Sequence, residues 1–169
     1  MKYTSAQANK LLKKLNDDLN ALNKREDMSK DFVVAVGEDI ESVRPQFDFL
    51  AMQSEIYEVQ RKIRVVKHAL NVFNSTTVVP EFNITIDEML ILLPQLTKIK
   101  DKLEDMKDLL PKMRLSSGYS RTSSVIEYRY LNYDPAKAQE EYDKISDILA
   151  KAQTALDVVN SSVLFDIEL

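Results

Sequence analysis

A continuous seam of apolar residues, spaced alternately by 3 and 4 positions, constrains the fold of this sequence more than any other feature. Its members are Phe49, Met52, Ile56, Val59, Ile63, Val66, Leu70 and Phe73. This spacing places every member on one face of an α-helix and is typical of a coiled-coil or helix-bundle seam. The pattern predicts a long helix that begins at Pro45, since proline suits the first helical position, and ends at Asn74.

Three other stretches carry the same kind of helical pattern. The first begins with Ser5 as the predicted N-cap and continues through Ala8, Leu12, Leu15, Leu19 and Leu22. The next follows the capping-box signature Thr85–Glu88 and is predicted to extend toward Leu110, with a kink at Pro94. Its seam is predicted at Ile86, Met89, Leu93, Leu96, Leu103, Met106 and Leu110. The last begins at Asp134-Pro135 and ends near Asn160. Its seam is predicted at Ala138, Tyr142, Ile145, Leu149, Ala152, Leu156 and Val159. We therefore expect a mainly α fold, in which four long heptad-patterned helices form an antiparallel bundle or coiled coil of two hairpins.

Short extended segments are predicted between and after these helices. Residues 32–36 form a β-branched run closed by Gly37, and residues 124–131 and 162–168 alternate apolar with polar side chains. We expect a small β element at one end of the bundle. The two later segments flank the last helix, so pairing with each other and pairing with a neighbouring subunit both stay open.

Length and composition bound the class of protein. The 169 residues fit one domain, over 1–169. The chain has no cysteine, one histidine and two glycines, which excludes thiolate sites, a Walker loop and a dinucleotide fingerprint. We therefore assign no catalytic, metal-binding or cofactor-binding residue, and expect no cofactor and no enzymatic activity. No apolar run is long enough for a membrane span and the N-terminal segment has no leader pattern, so we expect a cytoplasmic protein without membrane association.

Two polar features are interpreted as solvated surface. His68 lies opposite the seam, beside Arg61, Arg64 and Lys67. A lone histidine without a second ligand is a poor metal site or general base. Carboxylates cluster at Glu26, Asp27, Asp31, Glu38, Asp39 and Glu41, but their spacing does not match a calcium loop. A metal-dependent hydrolase built on carboxylates is kept as an alternative.

The segment from Arg114 to Tyr133 is the candidate interaction surface. It concentrates arginine and tyrosine at Arg114, Tyr119, Arg121, Tyr128, Arg129, Tyr130 and Tyr133. Guanidinium groups bind carboxylate or phosphate, and tyrosines supply rigid contact area. The same residue types can hold single-stranded nucleic acid or a nucleotide, which is the alternative function. The net charge of −4 disfavours nucleic acid as a partner.

The leading hypothesis is a structural or protein-interaction protein that self-associates. A second, partial apolar stripe lies beside the seam, at Leu50, Tyr57, Val65 and Val72. Because a wide apolar stripe needs more than one neighbour, we expect a homo-oligomer, with a protein partner as a further possibility. A phage- or defence-associated regulator is neither supported nor excluded by any residue pattern.

The order of these elements resembles a known family. The residues involved are the helix end Asn71–Thr76, the helix start Thr85–Leu90, the strand Ile126–Tyr133 and the helix end Gln153–Asn160. They are similar to those of the DIP-nineteen-eighty-four-like group of small bacterial helical proteins, some of which are labelled septicolysin. The resemblance implies a helical fold and self-association, and it implies no established activity. The pore-forming role that the septicolysin label suggests has no counterpart in these residues.

Overall fold

The computed structural model describes residues 1–115 and 126–169. Helices account for 67% of the described residues and the strands form three antiparallel pairs, so the fold is mainly α. The helices are α1 (Ser5–Ser29), α2 (Ile40–Val43), α3 (Phe49–Thr76), α4 (Ile86–Lys107) and α5 (Pro135–Ser162). The strands are β1 (Lys2–Thr4), β2 (Val78–Val79), β3 (Ile84–Thr85), β4 (Lys112–Arg114), β5 (Tyr128–Tyr130) and β6 (Leu164–Asp166).

The chain groups into two compact units. One comprises Met1–Thr77 and Val158–Leu169, and the other comprises Val78–Asp157. The prediction that residues 1–169 form one domain stays a prediction.

The first unit is built on α1 and α3. The side chain of Arg25, near the end of α1, pairs with Glu55, early in α3, and Gln53 donates a hydrogen bond of 2.6 Å to Glu26. The apolar faces of α1 and α3 meet in one core cluster, to which the C-terminal segment also contributes. The buried residues of this cluster are Ala8, Leu15, Ile63, Val66, Leu70 and Ile167. The core of this unit therefore uses the predicted seam.

The seam prediction for α3 is confirmed over most of its length. Met52, Ile56, Ile63, Val66, Leu70 and Phe73 are buried, Val59 is half-buried, and Phe49 is exposed. The helix begins at Phe49, and the predicted start at Pro45 is wrong. The Asp48 carboxylate accepts a hydrogen bond of 3.0 Å from the backbone N–H of Ala51 and caps the helix there.

The first helix begins one residue earlier than an N-cap at Ser5 would allow. Thr4 is the N-cap, because its hydroxyl accepts from the Gln7 N–H while the Gln7 side chain accepts from the Thr4 N–H. This reciprocal capping box satisfies two backbone donors that the helix itself leaves unpaired. Ser5 is buried in the first turn.

Of the two predictions for residues 32–36, a strand or an extended segment packed on the core, the strand is wrong. Val33 and Val36 are exposed, and this segment pairs with no strand in the described part of the chain. It ends in a turn, where the Glu38 N–H donates 3.1 Å to the Ala35 carbonyl and Gly37 has a φ of 90°. A β-branched run without a partner has no ladder to form, so its composition alone does not make it a strand.

The predicted terminal strand is confirmed as β6, and its partner is β1, which the sequence did not indicate. The pairing is antiparallel, with Tyr3 opposite Phe165. The Met1 amino group donates 3.0 Å to the Ile167 carbonyl, and the Ile167 N–H donates 2.9 Å to the Met1 carbonyl.

The second unit begins with the β2–β3 hairpin, which leads directly into α4. Asn83 ends the hairpin turn with a positive φ of 53°, a conformation that asparagine tolerates. Helix α4 starts at Ile86, as the capping-box signature predicts, and Pro94 lies within it. Its buried residues are Ile86, Met89 and Leu96, all members of the predicted seam. The helix ends at Lys107, before the predicted Leu110.

Helix α5 begins at Pro135, as predicted. The Asp134 carboxylate accepts a hydrogen bond of 2.9 Å from the Ala136 N–H and so caps the helix. Of its predicted seam, Ala138, Leu149, Ala152, Leu156 and Val159 are buried. Two lysines of α4 make cation–π contacts with the ring of Tyr142 in α5. The Lys107 Nζ is 4.3 Å from the ring centroid and the Lys100 Nζ is 5.7 Å from it.

A cation–tyrosine face as the candidate functional site

Strands β4 and β5 form a short antiparallel hairpin that holds most of the described candidate residues. Arg114 lies opposite Tyr128, Met113 opposite Arg129, and Lys112 opposite Tyr130. Two further backbone bonds extend the ladder: the Leu115 N–H donates 2.9 Å to the Glu127 carbonyl, and the Leu131 N–H donates 3.1 Å to the Pro111 carbonyl. The prediction of a strand within 124–131 is therefore confirmed for Tyr128–Tyr130.

The register sorts these side chains onto two faces. Residues directly opposite each other in an antiparallel pair share a face, and residues two positions apart along a strand share one too. One face therefore combines Lys112, Arg114, Tyr128 and Tyr130, which we call the tyrosine face. The other face carries Met113 and Arg129.

The tyrosine face holds its aromatic rings in a defined arrangement while leaving them accessible. The ring centroids of Tyr128 and Tyr130 are 6.4 Å apart with planes inclined by 51°. The Lys112 Nζ lies 4.2 Å from the Tyr128 centroid and 5.3 Å from the Tyr130 centroid, a distance suited to cation–π attraction. Even so, Tyr128 is 45% exposed and Tyr130 is 63% exposed.

The structure brings together Arg114, Tyr128 and Tyr130 of the predicted surface and adds Lys112. Arg129 is on the opposite face of the hairpin. Lys112 was missed in the sequence, although its position two residues before Arg114 has the alternation of a strand. Tyr119 and Arg121 lie outside the described residues.

Tyr133 has a different role from the other tyrosines. It is half-buried, and its hydroxyl donates a hydrogen bond of 2.8 Å to the backbone carbonyl of Met106 in the last turn of α4. The last carbonyls of a helix have no partner within the helix, so this bond satisfies one of them. Tyr133 therefore ties the segment after β5 to the end of α4.

Two carboxylates of the acidic cluster in the first unit form ion pairs with residues three positions away. Asp27 accepts 2.7 Å from Lys30, and this bond raises the pKa of Lys30. Glu41 pairs with Arg44, and the hydrogen bond raises the pKa of that guanidinium. Across residues 1–115 and 126–169, no three His, Asp or Glu side chains are grouped so that they could hold a metal ion. His68 is exposed on α3.

None of the described helices combines the length and apolarity needed to cross a membrane.

Comparisons with known proteins bear on the fold alone. No protein-family model matches the sequence. No curated protein matches it either. A crystal structure of a functionally unknown conserved protein from Corynebacterium diphtheriae is similar, with a TM-score of 0.58 and 17% sequence identity. The similarity covers 98% of this chain and 100% of the other, so the two share a fold over nearly their whole length. It agrees with the coarser part of the family resemblance, a bacterial helical protein without an established activity.

Proposed function

We propose that this chain is a non-enzymatic structural or protein-interaction protein that self-associates, and that its tyrosine face contacts a protein partner. One observation supports the contact role above all others: Tyr128 and Tyr130 stand exposed on one face of a hairpin, flanked by Lys112 and Arg114. Tyrosine and arginine are enriched among the residues that dominate binding energies at protein interfaces.

The arrangement of the face favours binding through limited loss of conformational freedom. The hairpin ladder fixes the backbone, and the Lys112 ammonium lies against both rings. Side chains that are ordered before binding lose less entropy when a partner arrives. The two cations on the face favour a partner with acidic groups at the rim of its own surface, since complementary charge speeds and orients association.

The contact role is tested with a tagged full-length chain and a double variant, Tyr128→Ala with Tyr130→Ala. Proteins that copurify with the wild-type chain are quantified by mass spectrometry and compared with those retained by the variant. The matched control is Ile91→Ala, because Ile91 is a large side chain of α4 with a similar exposure of 62% and no place in either proposed surface. We expect at least one protein to be retained by the wild type and the control and lost from the double variant. Equal retention by all three chains would exclude the tyrosine face as the contact surface.

Single-stranded nucleic acid is the second candidate for the same face. Exposed aromatic rings beside cations are the elements that hold unpaired bases and phosphates. However, the chain carries a net charge of −4, which disfavours a polyanionic ligand, so protein is the preferred ligand. Fluorescence anisotropy with labelled single-stranded oligonucleotides distinguishes the two. Binding that weakens steeply with salt and is lost in Lys112→Ala with Arg114→Ala would favour nucleic acid.

The same proposal extends to the arrangement of the helices, the family and the cellular location. The Arg25–Glu55 and Gln53–Glu26 pairs, which join the end of α1 to the start of α3, support an antiparallel arrangement of these two helices. Membership of the DIP-nineteen-eighty-four-like group is proposed on the helix ends, helix start and strand that carry the resemblance, and the fold shared with the Corynebacterium diphtheriae protein agrees with its helical character alone. We also propose a cytoplasmic location. Exposed Leu50, Tyr57 and Val72 support self-association, since they extend the apolar surface of α3 beyond its seam.

A further inference from the structure

An apolar groove in the first unit lies between the end of α3 and strand β6. It has a volume of ≈ 480 Å³, and its lining includes Val72, Phe73 and Val163 through Phe165. His68, Thr77 and Asp166 contribute its polar rim. Val163 and all three residues of β6, from both faces of the strand, line this groove, so the groove follows the edge of the strand and not one of its faces.

The backbone of β6 presents unused hydrogen-bonding groups along that edge. Met1 and Ile167 exchange both backbone bonds, which makes them a hydrogen-bonded pair of the β1–β6 ladder. Such pairs alternate along an antiparallel ladder, so Phe165 also bonds to β1, whereas the N–H and C=O groups of Leu164 and Asp166 point to the opposite edge. In the described part of the chain, β6 pairs with β1 alone.

Apolar side chains beside this edge are accessible to solvent. Leu164 is 55% exposed, and Val163 and Val72 are also exposed. An accessible strand edge with apolar side chains is a template for pairing with another strand. A two-stranded sheet is also marginal by itself, so a third strand would stabilise it.

From this edge we propose that β6 pairs with β6 of a second copy in antiparallel orientation, with Leu164 opposite Asp166 of the other copy. The inference rests on the self-association in the proposed function and assigns it a surface distinct from the tyrosine face. The contact joins β1 and β6 of both copies into one four-stranded sheet. A two-fold axis then passes between the two Phe165 residues, so the same surface serves both partners.

The sequence of β6 is complementary to itself in this register. On the face that packs on the core, Phe165 meets Phe165 and Val163 meets Ile167, so every cross-strand pair is apolar. On the other face, each Asp166 lies opposite a leucine. If the two-fold axis moved by one residue toward the C-terminus, from Phe165 to Asp166, the two Asp166 carboxylates would lie directly opposite each other. Like charges in that position destabilise a sheet. The self-complementary pattern thus favours a second copy of this chain over an unrelated peptide.

The first test is the molar mass of the full-length chain in solution, measured by light scattering after size exclusion at low and high salt. We expect twice the mass of one chain at both salt concentrations. Leu164→Glu, which sets a second carboxylate directly opposite Asp166 of the other copy, is expected to reduce the mass to that of one chain. Leu169→Glu is the matched control, because Leu169 is 46% exposed and lies beyond the strand. It is expected to leave the mass unchanged, and circular dichroism verifies that both variants keep their helices.

The second test determines the register and does not depend on a disruptive substitution. The chain has no cysteine, so single cysteines can be placed without background. Opposite Cα atoms in a hydrogen-bonded pair are about 5.5 Å apart, within reach of a disulfide. Mild oxidation of an equimolar mixture of Leu164→Cys and Asp166→Cys chains is therefore expected to yield a covalent heterodimer. Each variant oxidised alone is expected to yield at least tenfold less covalent dimer.

The outcomes separate this inference from the proposed function. A wild-type chain that is monomeric at both salts overturns the strand pairing and self-association together, while the contact role of the tyrosine face is judged by its own variants. An oligomer that persists in folded Leu164→Glu, or that yields no mixed disulfide, overturns the pairing through β6 and leaves self-association to another surface. Efficient linking of Leu164→Cys to itself overturns the proposed register.

Discussion

Phe73, near the end of α3, stacks on Phe165 of β6, with ring centroids 4.4 Å apart and ring planes inclined by 22°. The pair joins the main helix of the first unit to its terminal sheet. Phe73 is buried and Phe165 is half-buried. Stacked aromatic pairs contribute beyond the area they bury, so this contact is a principal support for β6.

Replacing Phe73 with alanine removes both the stacking and a buried ring. We expect Phe73→Ala to lower the free energy of unfolding by about 3 kcal/mol, as is usual for truncation of a buried phenylalanine. Val72→Ala, at the exposed neighbouring position, should change it by less than about 1 kcal/mol. Urea denaturation followed by circular dichroism measures both. Equal effects of the two substitutions would show that the Phe73–Phe165 pair contributes little.

The start of α4 predicts a pH dependence. The Glu88 carboxylate accepts hydrogen bonds from the Thr85 backbone N–H at 2.9 Å and from the Thr85 hydroxyl at 2.8 Å. These bonds, the backbone one first, hold the pKa of Glu88 below its ordinary value of 4.5. A carboxylate whose pKa is lowered by folding stabilises the folded state above the unfolded pKa, and this contribution is lost as pH falls through the folded pKa.

The stability difference between the wild type and Glu88→Gln is therefore expected to be largest above about pH 4.5 and to shrink as the pH is lowered further. Thermal denaturation of both chains in a series of buffers from neutral to acidic pH measures it. A difference that stays constant or grows toward acidic pH would contradict the capping role of this carboxylate.

The hydroxyl of Tyr133 is expected to matter for stability, unlike those of the hairpin tyrosines. Tyr133→Phe leaves the Met106 carbonyl without its donor, so we expect a loss of about 1 kcal/mol in the free energy of unfolding. Tyr130→Phe, on the exposed tyrosine face, is the matched control and should have an effect near zero. Chemical denaturation of the three chains is sufficient, and equal stability of all three would assign Tyr133 no structural role.

The Arg25–Glu55 pair between α1 and α3 is expected to contribute little. Both side chains are more than half exposed, and exposed ion pairs typically show coupling energies of about 0.2–1 kcal/mol. A double-mutant cycle with Arg25→Ala and Glu55→Ala measures the coupling, which should decrease in high salt. Coupling that is insensitive to salt would indicate that the contact of Arg25 with Met52 dominates instead.

The helices were predictable because their signals are local and repeated. The seam of α3, the Thr85–Glu88 signature and the Asp134-Pro135 start each fix an element through residues within one or two turns. Helix starts that depend on competition between neighbouring residues were harder to predict. Asp48 caps α3, whereas Pro45 was expected at its first position, and Thr4 caps α1, whereas Ser5 was the expected N-cap. The side-chain bond that forms decides the boundary, and spacing does not reveal it.

The pairing of the strands could not be predicted from the sequence, for a different reason. β1 and β4 are three residues each, too short for a clear alternation, and β1 pairs with a strand at the far end of the chain. The run over 32–36 had a composition more typical of a strand, but it pairs with no strand in residues 1–115 and 126–169. Lys112 was missed in the candidate site because its relation to Tyr128 and Tyr130 arises only from the hairpin register. Tyr133 was grouped with the surface because residue type does not distinguish a contact ring from an internal hydrogen bond.

The pairing of β1 with β6 has a consequence for synthesis on the ribosome. Translation proceeds at about 5–20 residues per second, so β1 emerges well before its partner strand exists. Helices α1 and α3 can begin to pack in that interval, since both are complete by residue 76. The backbone edge of β1 that bonds to β6 stays unpaired until residues 164–166 emerge. An unpaired strand edge is a template for pairing with other chains, which makes the nascent first unit a candidate client for a chaperone and makes termination before residue 164 a route to aggregation.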